Sequence, residues 1–311
     1  MLKNMRNVAW FLVVGFFVFL PSAQARENVT DWYVKDLKEE FVLSADSTMI
    51  VTEWVTADCG QAIGKHGIFR IVPTESRTES DVIKTPVELL SITDFEGKSY
   101  TFETTENGSD KTLTWKIGDP NITVTGEHQY KIVYKVKNVI RFSNQKFDEF
   151  YWNVGGNFWT MDIDIFQATV VFPQTIKKDT IDLSLYSGVA GSKDSSLVKS
   201  SWKNDSTLSL VSTQSLAPGE GITLSASVPK NIFTPYQFSF LELYGAYFWL
   251  FLPLFVFILC FRLWRKYGAD PVWNKVVIPE YEIPEHLDVL ELGVLSTNGR
   301  LKNEFITASI I

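Results

Sequence analysis

Nineteen consecutive residues without a charged side chain, from Leu243 to Phe261, constrain this chain more than any other feature. An α-helix rises about 1.5 Å per residue, so the segment spans roughly 28 Å, close to the ~30 Å hydrocarbon core of a bilayer. Tyr and Trp side chains cluster near both ends, where interfacial rings are favoured. The segment predicts one transmembrane α-helix over residues 243–264, and the alternative is a buried helix of a soluble protein.

The flanks of this segment predict its orientation. Arg262, Arg265 and Lys266 follow it directly, and cations of this kind remain on the cytoplasmic side of a membrane. Glu242 lies at the opposite end, which we expect outside. Residues 265–311 then form a cytoplasmic tail, expected to be extended or disordered. Pro253 lies within the span and predicts a mild kink.

The N-terminus has the three parts of a secretory signal peptide. Lys3 and Arg6 form a basic start, Val8–Leu20 is apolar but short for a membrane span, and Ala23-Gln24-Ala25 is a small-x-small cleavage site. We predict a signal peptide over residues 1–25 with cleavage after Ala25. The alternative is an uncleaved N-terminal anchor.

Between these two apolar segments, hydrophobic residues alternate with polar ones. Tyr130, Ile132, Tyr134 and Val136 share one face of a strand, and several similar short runs are separated by Gly- or Pro-containing turns. This pattern predicts an all-β protein: an extracytoplasmic β-sandwich over residues 26–229, followed by a juxtamembrane segment over 230–242. The domain is long for one sandwich, so either an elaborated sandwich or two lobes divided near Pro173 fits.

Composition narrows the function classes. The net charge of −7 lacks the basic footprint of a nucleic-acid-binding protein, so no nucleic acid is expected as a partner. Cys59 and Cys260 fall on different sides of the predicted membrane boundary, so they should not form a disulfide.

Two motifs stand out in the outer domain. In His66-Gly-Ile-Phe-Arg70, either His66 or Arg70 could contact a ligand, or Arg70 could form a structural ion pair. In the run from Tyr151 to Trp159, Trp152, Asn153 and Trp159 surround the Gly155-Gly156 pair. Those aromatic rings form either a platform for a sugar or peptide, or a core corner.

A pair of carboxylates is the third candidate. Asp162 and Asp164 flank Ile163, so on a strand both side chains project from the same face. Such a pair can perform acid–base chemistry or bind Ca²⁺. The histidines are scattered, and we find no nucleophile elbow, phosphate loop or metal-ligand spacing. The sequence therefore predicts no metal site, no cofactor and no catalytic set.

The motifs taken in order resemble a known family. His66-Gly-Ile-Phe-Arg70, Tyr151-Trp-Asn153 and, beyond the apolar segment, Tyr267-Gly-Ala-Asp-Pro271, Pro279–Pro284 and Leu292-Gly-Val are similar to bacterial predicted membrane proteins called domain of unknown function 2207. The resemblance implies a signal peptide, an outer β-domain and a membrane anchor, but no reaction. Members usually continue into a further cytoplasmic region, so we expect this tail to be the start of a truncated one.

Our leading hypothesis is a non-enzymatic, membrane-anchored envelope protein whose outer domain binds another envelope protein or a wall polymer, with the lipid bilayer as its first partner. One alternative is a membrane-tethered hydrolase that uses Asp162 and Asp164, assisted by His66. Another is a subunit of a transport or signalling complex.

Overall fold

The computed structural model describes residue 26 and residues 29–78, 81–268, 287–300, 303–308 and 310. The predicted signal peptide over 1–25 lies outside these residues. The chain divides into two compact units, one ending at Gln237 and the other beginning at Phe238.

The first unit is built from strands. Its described residues form sixteen strands: β1 (Tyr33–Leu43), β2 (Met49–Asp58), β3 (Ile68–Pro73), β4 (Glu75–Arg77), β5 (Val82–Lys84), β6 (Val87–Thr93), β7 (Phe102–Asn107), β8 (Thr112–Ile117), β9 (Glu127–Val136), β10 (Ile140–Arg141), β11 (Phe147–Asn153), β12 (Ile163–Val171), β13 (Asp182–Val189), β14 (Val198–Trp202), β15 (Thr207–Ser212) and β16 (Glu220–Pro229). A 3₁₀ turn at Lys178–Thr180 precedes β13.

These strands form four sheets. The largest has seven strands in the order β14-β15-β12-β1-β2-β9-β6. A four-stranded sheet has the order β10-β11-β16-β13, a three-stranded sheet the order β3-β8-β7, and β4 pairs with β5. Strands from both sides of Pro173 share the two largest sheets, so the domain is one elaborated sandwich rather than two lobes divided there.

Alternating side chains explain why these segments form half-buried strands. In β2, every second residue from Met49 to Ala57 is buried, and the residues between them are partly exposed. The same alternation in β9 buries Tyr130, Ile132, Tyr134 and Val136, as the sequence predicted. Because side chains of a strand alternate between faces, this pattern places one face of the large sheet against the core.

The sheets enclose a common core. Phe150 of β11 and Phe172, which follows β12, meet edge to face with ring centroids 6.4 Å apart. Buried residues of all three larger sheets belong to one hydrophobic cluster. The centre of the large sheet contains a parallel pair, β1 with β12, whose partners are far apart in sequence.

The β-domain extends beyond the Pro229 boundary expected from the sequence. Phe233 is buried in the core. Its neighbour Thr234 donates its backbone N–H to the Ala45 carbonyl at 2.8 Å and accepts from the Ser47 hydroxyl at 2.5 Å. Residues 230–234 thus belong to the domain rather than to a linker.

The second unit contains the membrane helix. Helical structure runs through α1 (Phe240–Tyr244), a 3₁₀ segment (Gly245–Leu250), α2 (Phe251–Leu263) and a π-helical turn (Trp264–Gly268). Among the described residues, one helix, Tyr247–Gly268, is long and apolar enough to cross a membrane. The fold is therefore all-β with one transmembrane helix.

Pro253 lies near the start of α2 rather than in the middle of a regular helix. The first turn of an α-helix tolerates proline because its N–H groups have no intrahelical partner. The 3₁₀ segment that precedes α2 is consistent with this position.

Beyond the membrane helix, the described residues form two short helices, α3 (Val289–Ser296) and α4 (Asn303–Ala308). The Asp288 side chain accepts from the Val289 N–H at 2.7 Å, and Glu291 accepts from the Asp288 N–H at 3.1 Å. Acceptors at this end stabilise a helix, so α3 replaces part of the extended or disordered tail that we expected.

Candidate functional site

The two aspartates predicted to share a face do so, and an arginine engages both. Ile163 between them is buried. Arg26 donates from Nη1 to Asp162 Oδ2 at 2.9 Å and from Nε to Asp164 Oδ1 at 3.1 Å, and its guanidinium lies 4.5 Å from the Tyr33 ring centroid. Hydrogen bonds to Asp164, more than the burial that opposes them, raise the pKa of Arg26. The hydrolase hypothesis needs carboxylates aimed at a substrate, whereas these are aimed at Arg26.

Asp162 and His66 line the same open cleft, which we call the His66 cleft and which has a volume of about 620 Å³. It lies between the segment leading into β3 and the segment leading into β12. Trp32, Phe69 and Met161 contribute apolar surface, and Phe69 is 53% exposed. Lys65 at the rim pairs with Asp31 at 2.5 Å. The cleft therefore combines apolar side chains with charges of both signs.

Two glycines allow the cleft wall to form. Gly67 and Gly118 both line the cleft and have positive φ values of 147° and 134°. A Cβ atom added to Gly67 would lie 1.8 Å from the Ile117 carbonyl oxygen, and one added to Gly118 would lie 1.9 Å from the His66 carbonyl oxygen. Only glycine permits this close approach of two backbone segments.

His66 has one ring nitrogen fixed by the protein. Its Nδ1 lies 2.9 Å from the Ile122 carbonyl oxygen. A carbonyl only accepts, so Nδ1 carries the proton, and in the neutral ring Nε2 is an acceptor. His66 is half-buried in the cleft wall and can accept a hydrogen bond from a ligand there.

Arg70 lies inside the domain instead of in the cleft. Its side chain is 4% exposed and forms a fork with Glu53: Nε donates to Oε2 at 2.7 Å and Nη2 to Oε1 at 2.6 Å. Tyr134 donates its hydroxyl to Glu53 Oε1 at 2.7 Å. Arg70 thus links β3 of the three-stranded sheet to β2 and β9 of the large sheet, and it is shielded from ligands.

A second glutamate faces this ion pair. Glu39 of β1 is the direct cross-strand neighbour of Glu53, and both are buried. Its Oε1 lies 3.9 Å from Arg70 Nη2, too far for a hydrogen bond, and has no hydrogen-bond partner in the described part of the chain. Burial, strengthened by the negative charge of Glu53 and opposed by Arg70, raises the pKa of Glu39 well above its ordinary value.

The charges in this cluster balance only when Glu39 is neutral. Glu53 accepts three hydrogen bonds, the pattern of an ionised carboxylate beside an arginine. Burial opposes the charge of Arg70, but the attraction of Glu53 outweighs it and raises the pKa of Arg70. Burial and the charge of Glu53 also raise the pKa of Tyr134 well above its ordinary value, so its hydroxyl remains a donor.

The aromatic corner is partly core and partly surface. Trp159 is 1% exposed, and the Arg70 guanidinium lies 4.9 Å from its ring centroid. Gly156 has φ +54°, and a Cβ there would lie 2.8 Å from Trp159 Cδ1. Trp152 is 5% exposed, whereas Asn153 is half-buried and bonded to Asn157. Of the three predicted residues at this corner, Asn153 alone has substantial exposure.

Sequence reasoning missed Glu39, Glu53 and Tyr134 as a buried polar cluster. A signal was present, because Glu53 alternates in phase with Val51 and Val55, and Glu39 with Leu37 and Phe41. Each glutamate occupies a core-facing position of a strand. Charged residues at such positions are rarely buried without a partner.

Among the described residues, no group of three His, Cys, Asp or Glu side chains could hold a metal ion. Cys59 is buried and Cys260 exposed, and both are free thiols.

Comparisons with known proteins give a family but no activity. No curated protein matches the chain. Native yeast LTA4 hydrolase is similar in structure, with 6% sequence identity and a TM-score of 0.39 over 64% of this chain and 29% of that one. The M1 zinc metallopeptidase from Deinococcus radiodurans has 7% identity and a TM-score of 0.34 over 62% of this chain and 42% of that one. This chain thus covers less than half of either protein.

The family model described as "Predicted membrane protein (DUF2207) N-terminal domain" matches residues 33–228. That range spans β1 to β16 nearly end to end. The chain belongs to the domain of unknown function 2207 family of membrane proteins.

Proposed function

We propose that this protein is a membrane-anchored binding module whose β-domain is presented outside the cytoplasmic membrane. The features of residues 1–25 and the cations after Phe261 support export of the domain and retention of the tail in the cytoplasm. The His66 cleft is the main observation behind the binding role. It is an open site of about 620 Å³, within the range of ligand pockets in proteins.

The lining of the cleft favours an extended polypeptide segment of another envelope protein. Trp32, Phe69 and Met161 offer contacts for apolar side chains. Lys116 offers a positive charge, Asp162 adds a negative one that it shares with Arg26, and His66 offers an acceptor. A peptide presents this same mixture of apolar groups, charges and N–H donors.

Cysteine labelling in intact cells tests the orientation. Ile63 is 97% exposed in the β-domain, and Leu295 is 67% exposed in the tail. Both variants carry Cys59→Ser and Cys260→Ser, so that the introduced cysteine is the one thiol left. We expect a membrane-impermeant maleimide to label Ile63→Cys in intact cells and Leu295→Cys only after permeabilisation. The reverse pattern contradicts the proposed orientation. The mature protein should begin at Arg26 on N-terminal sequencing.

Photocrosslinking tests the cleft. A benzophenone side chain introduced at Phe69 in the full chain should form adducts with a partner polypeptide in membranes. The matched control is Leu90, 50% exposed on β6 and away from the cleft. Mass spectrometry identifies the crosslinked segment, and the purified partner should bind Phe69→Ala about tenfold more weakly than wild type. Equal adducts at both positions, or unchanged affinity, would exclude the cleft as the binding site.

A further inference from the structure

A second cavity lies beside the run from Tyr151 to Trp159, and the proposed function does not use it. It has a volume of about 740 Å³ and shares no lining residue with the His66 cleft. An adjoining cavity of about 360 Å³ shares six lining residues with it: Arg77, Tyr151, Asn157, Ala190, Gly191 and Thr223. Together they form one groove, which we call the Tyr151 groove.

The floor of the groove is the outer face of the four-stranded sheet. In β11 and β16, the even-numbered residues from Phe150 to Trp152 and from Ile222 to Val228 are buried, so the odd-numbered ones face outward. The register aligns Tyr151 with Ser225 and Ser184, and Asn153 with Thr223 and Tyr186. The sheet therefore displays two tyrosines among hydroxyl and amide side chains.

The two tyrosines are separated by one intervening strand. Tyr151 lies on β11 and Tyr186 on β13, with β16 between them. Two strand spacings amount to about 9–10 Å, and Tyr186 is also one register row away. This separation exceeds the width of one sugar ring, so it fits successive units of a linked chain.

The polar groups of the groove are already positioned. Asn157 donates to the Gly188 carbonyl at 3.0 Å and to the Gly219 carbonyl at 2.9 Å, which fixes the loop that forms one wall. Ser225 donates to Glu149 Oε1 at 2.6 Å. Glu149 and Thr223 line the groove and are half-buried, so the second carboxylate oxygen of Glu149 and the Thr223 hydroxyl can bond to a ligand.

We propose that the Tyr151 groove binds a glycan chain. Sugar rings present C–H faces that pack on aromatic rings, and hydroxyls that bond to carboxylate, amide and hydroxyl groups. The groove offers both: Tyr151 and Tyr186 supply aromatic rings, and Glu149, Asn153 and Thr223 supply polar groups. Polar groups contribute a larger share of the surface of the larger cavity than of the His66 cleft, which favours a hydroxyl-rich glycan over a peptide with apolar anchoring side chains.

The test uses the full chain in detergent micelles and an array of neutral, acetamido and acidic oligosaccharides, followed by calorimetric titration of the strongest binder. We expect Tyr186→Ala to weaken binding about tenfold and Tyr186→Phe to retain it, because the ring and not the hydroxyl provides stacking. Glu149→Gln should weaken binding several-fold through loss of a charged acceptor. An unchanged thermal unfolding temperature shows that each variant is folded.

Two controls separate this proposal from the proposed function. Phe69→Ala should leave oligosaccharide binding unchanged, and Tyr186→Ala should leave crosslinking at position 69 unchanged. Absence of any bound oligosaccharide would overturn the glycan assignment. So would equal affinity of Tyr186→Ala and wild type, or displacement of the sugar by the partner peptide of the His66 cleft.

Discussion

Two arginines of this protein each face two carboxylates, but in opposite surroundings. Arg26 meets Asp162 and Asp164 at the surface, with 36% of its side chain exposed. Arg70 meets Glu53 and Glu39 in the core, with 4% exposed. The residue types are nearly the same, so the comparison isolates the effect of burial.

Water allows the surface cluster to keep an imbalance of charge. One cation beside two carboxylates leaves a net negative charge, which solvent and salt screen. In the core no solvent screens the second carboxylate, so burial and the charge of Glu53 raise the pKa of Glu39 and favour its neutral form beside one ion pair. Burial thus turns an equivalent arrangement into one whose stability depends on protonation.

The largest effect should come from Arg70→Met. Removing the guanidinium leaves the Glu53 carboxylate buried without its cation, and breaking a buried pair in this way costs about 3–5 kcal/mol of folding free energy. Chemical denaturation of the full chain in micelles, followed by tryptophan fluorescence, measures the loss.

A double variant distinguishes an unpaired charge from lost packing. In Glu53→Met with Arg70→Met, no charge remains to be buried, so the loss should be smaller than for Arg70→Met alone. If the double variant lost as much folding free energy as Arg70→Met or more, the loss would come from poor packing of methionine and not from an unpaired buried charge.

The next largest effect concerns pH and Glu39. The pKa of Glu39 is raised in the folded domain, so the unfolded chain releases this proton first, above the ordinary value of 4.5. The stability that Glu39 contributes is complete below that value and declines as pH rises toward the folded pKa, by up to about 1.4 kcal/mol per pH unit.

Glu39→Gln keeps the shape and removes the titration. Its free energy of unfolding should gain on wild type as pH rises above the ordinary value of 4.5, and the gain should level off at the folded pKa of Glu39. Denaturant titrations of both proteins across this range give the difference, and its plateau locates the folded pKa. A difference that does not change with pH would mean that Glu39 ionises in the folded protein as readily as in the unfolded one.

Tyr134→Phe should have a moderate effect. The change removes the hydroxyl that donates to Glu53 and leaves the Arg70 fork, so we expect a loss of about 1.5 kcal/mol in the same denaturation measurement. Tyr130→Phe is the matched control, because Tyr130 is buried on the same face of β9 and its hydroxyl makes no bond to Glu53. Equal losses of folding free energy for both variants would show that the hydrogen bond to Glu53 contributes no more than any buried tyrosine hydroxyl.

Local periodicity explains which parts of the fold could be predicted. The alternation of Tyr130 to Val136 and the nineteen uncharged residues from Leu243 each specify their element without help from distant residues. The parallel pairing of β1 with β12 could not be predicted in this way, because it joins segments far apart in the chain. The extension of the domain to Phe233 could not be predicted either, because the residues that hold this segment, Ala45 and Ser47, are far away in the sequence.

The candidate site likewise has features that local sequence predicts and features that depend on distant residues. The shared face of Asp162 and Asp164 follows from strand geometry and was predictable. The pairing of these aspartates with Arg26, and of Arg70 with Glu53, depends on tertiary packing. The sequence motifs therefore identified Arg70 and the two aspartates as candidates but did not predict their partners. The burial of Arg70 on β3 and of Trp159 in the loop before β12 likewise depends on the sheets that pack over them, which no local sequence pattern predicts.

The smallest effect should come from Arg26→Met, and it tests the comparison most directly. Exposed ion pairs contribute about 0–1 kcal/mol, so we expect a loss in that range despite the several short contacts of Arg26. A double-mutant cycle with Asp164→Asn isolates the pair, and repeating it in high salt should reduce the coupling, because the Debye length falls to about 3 Å at 1 M. The same cycle on Arg70 and Glu53 should be insensitive to salt. If the Arg26 pair also resisted salt, or its coupling reached that of the core pair, exposure would not be the property that separates the two arginines.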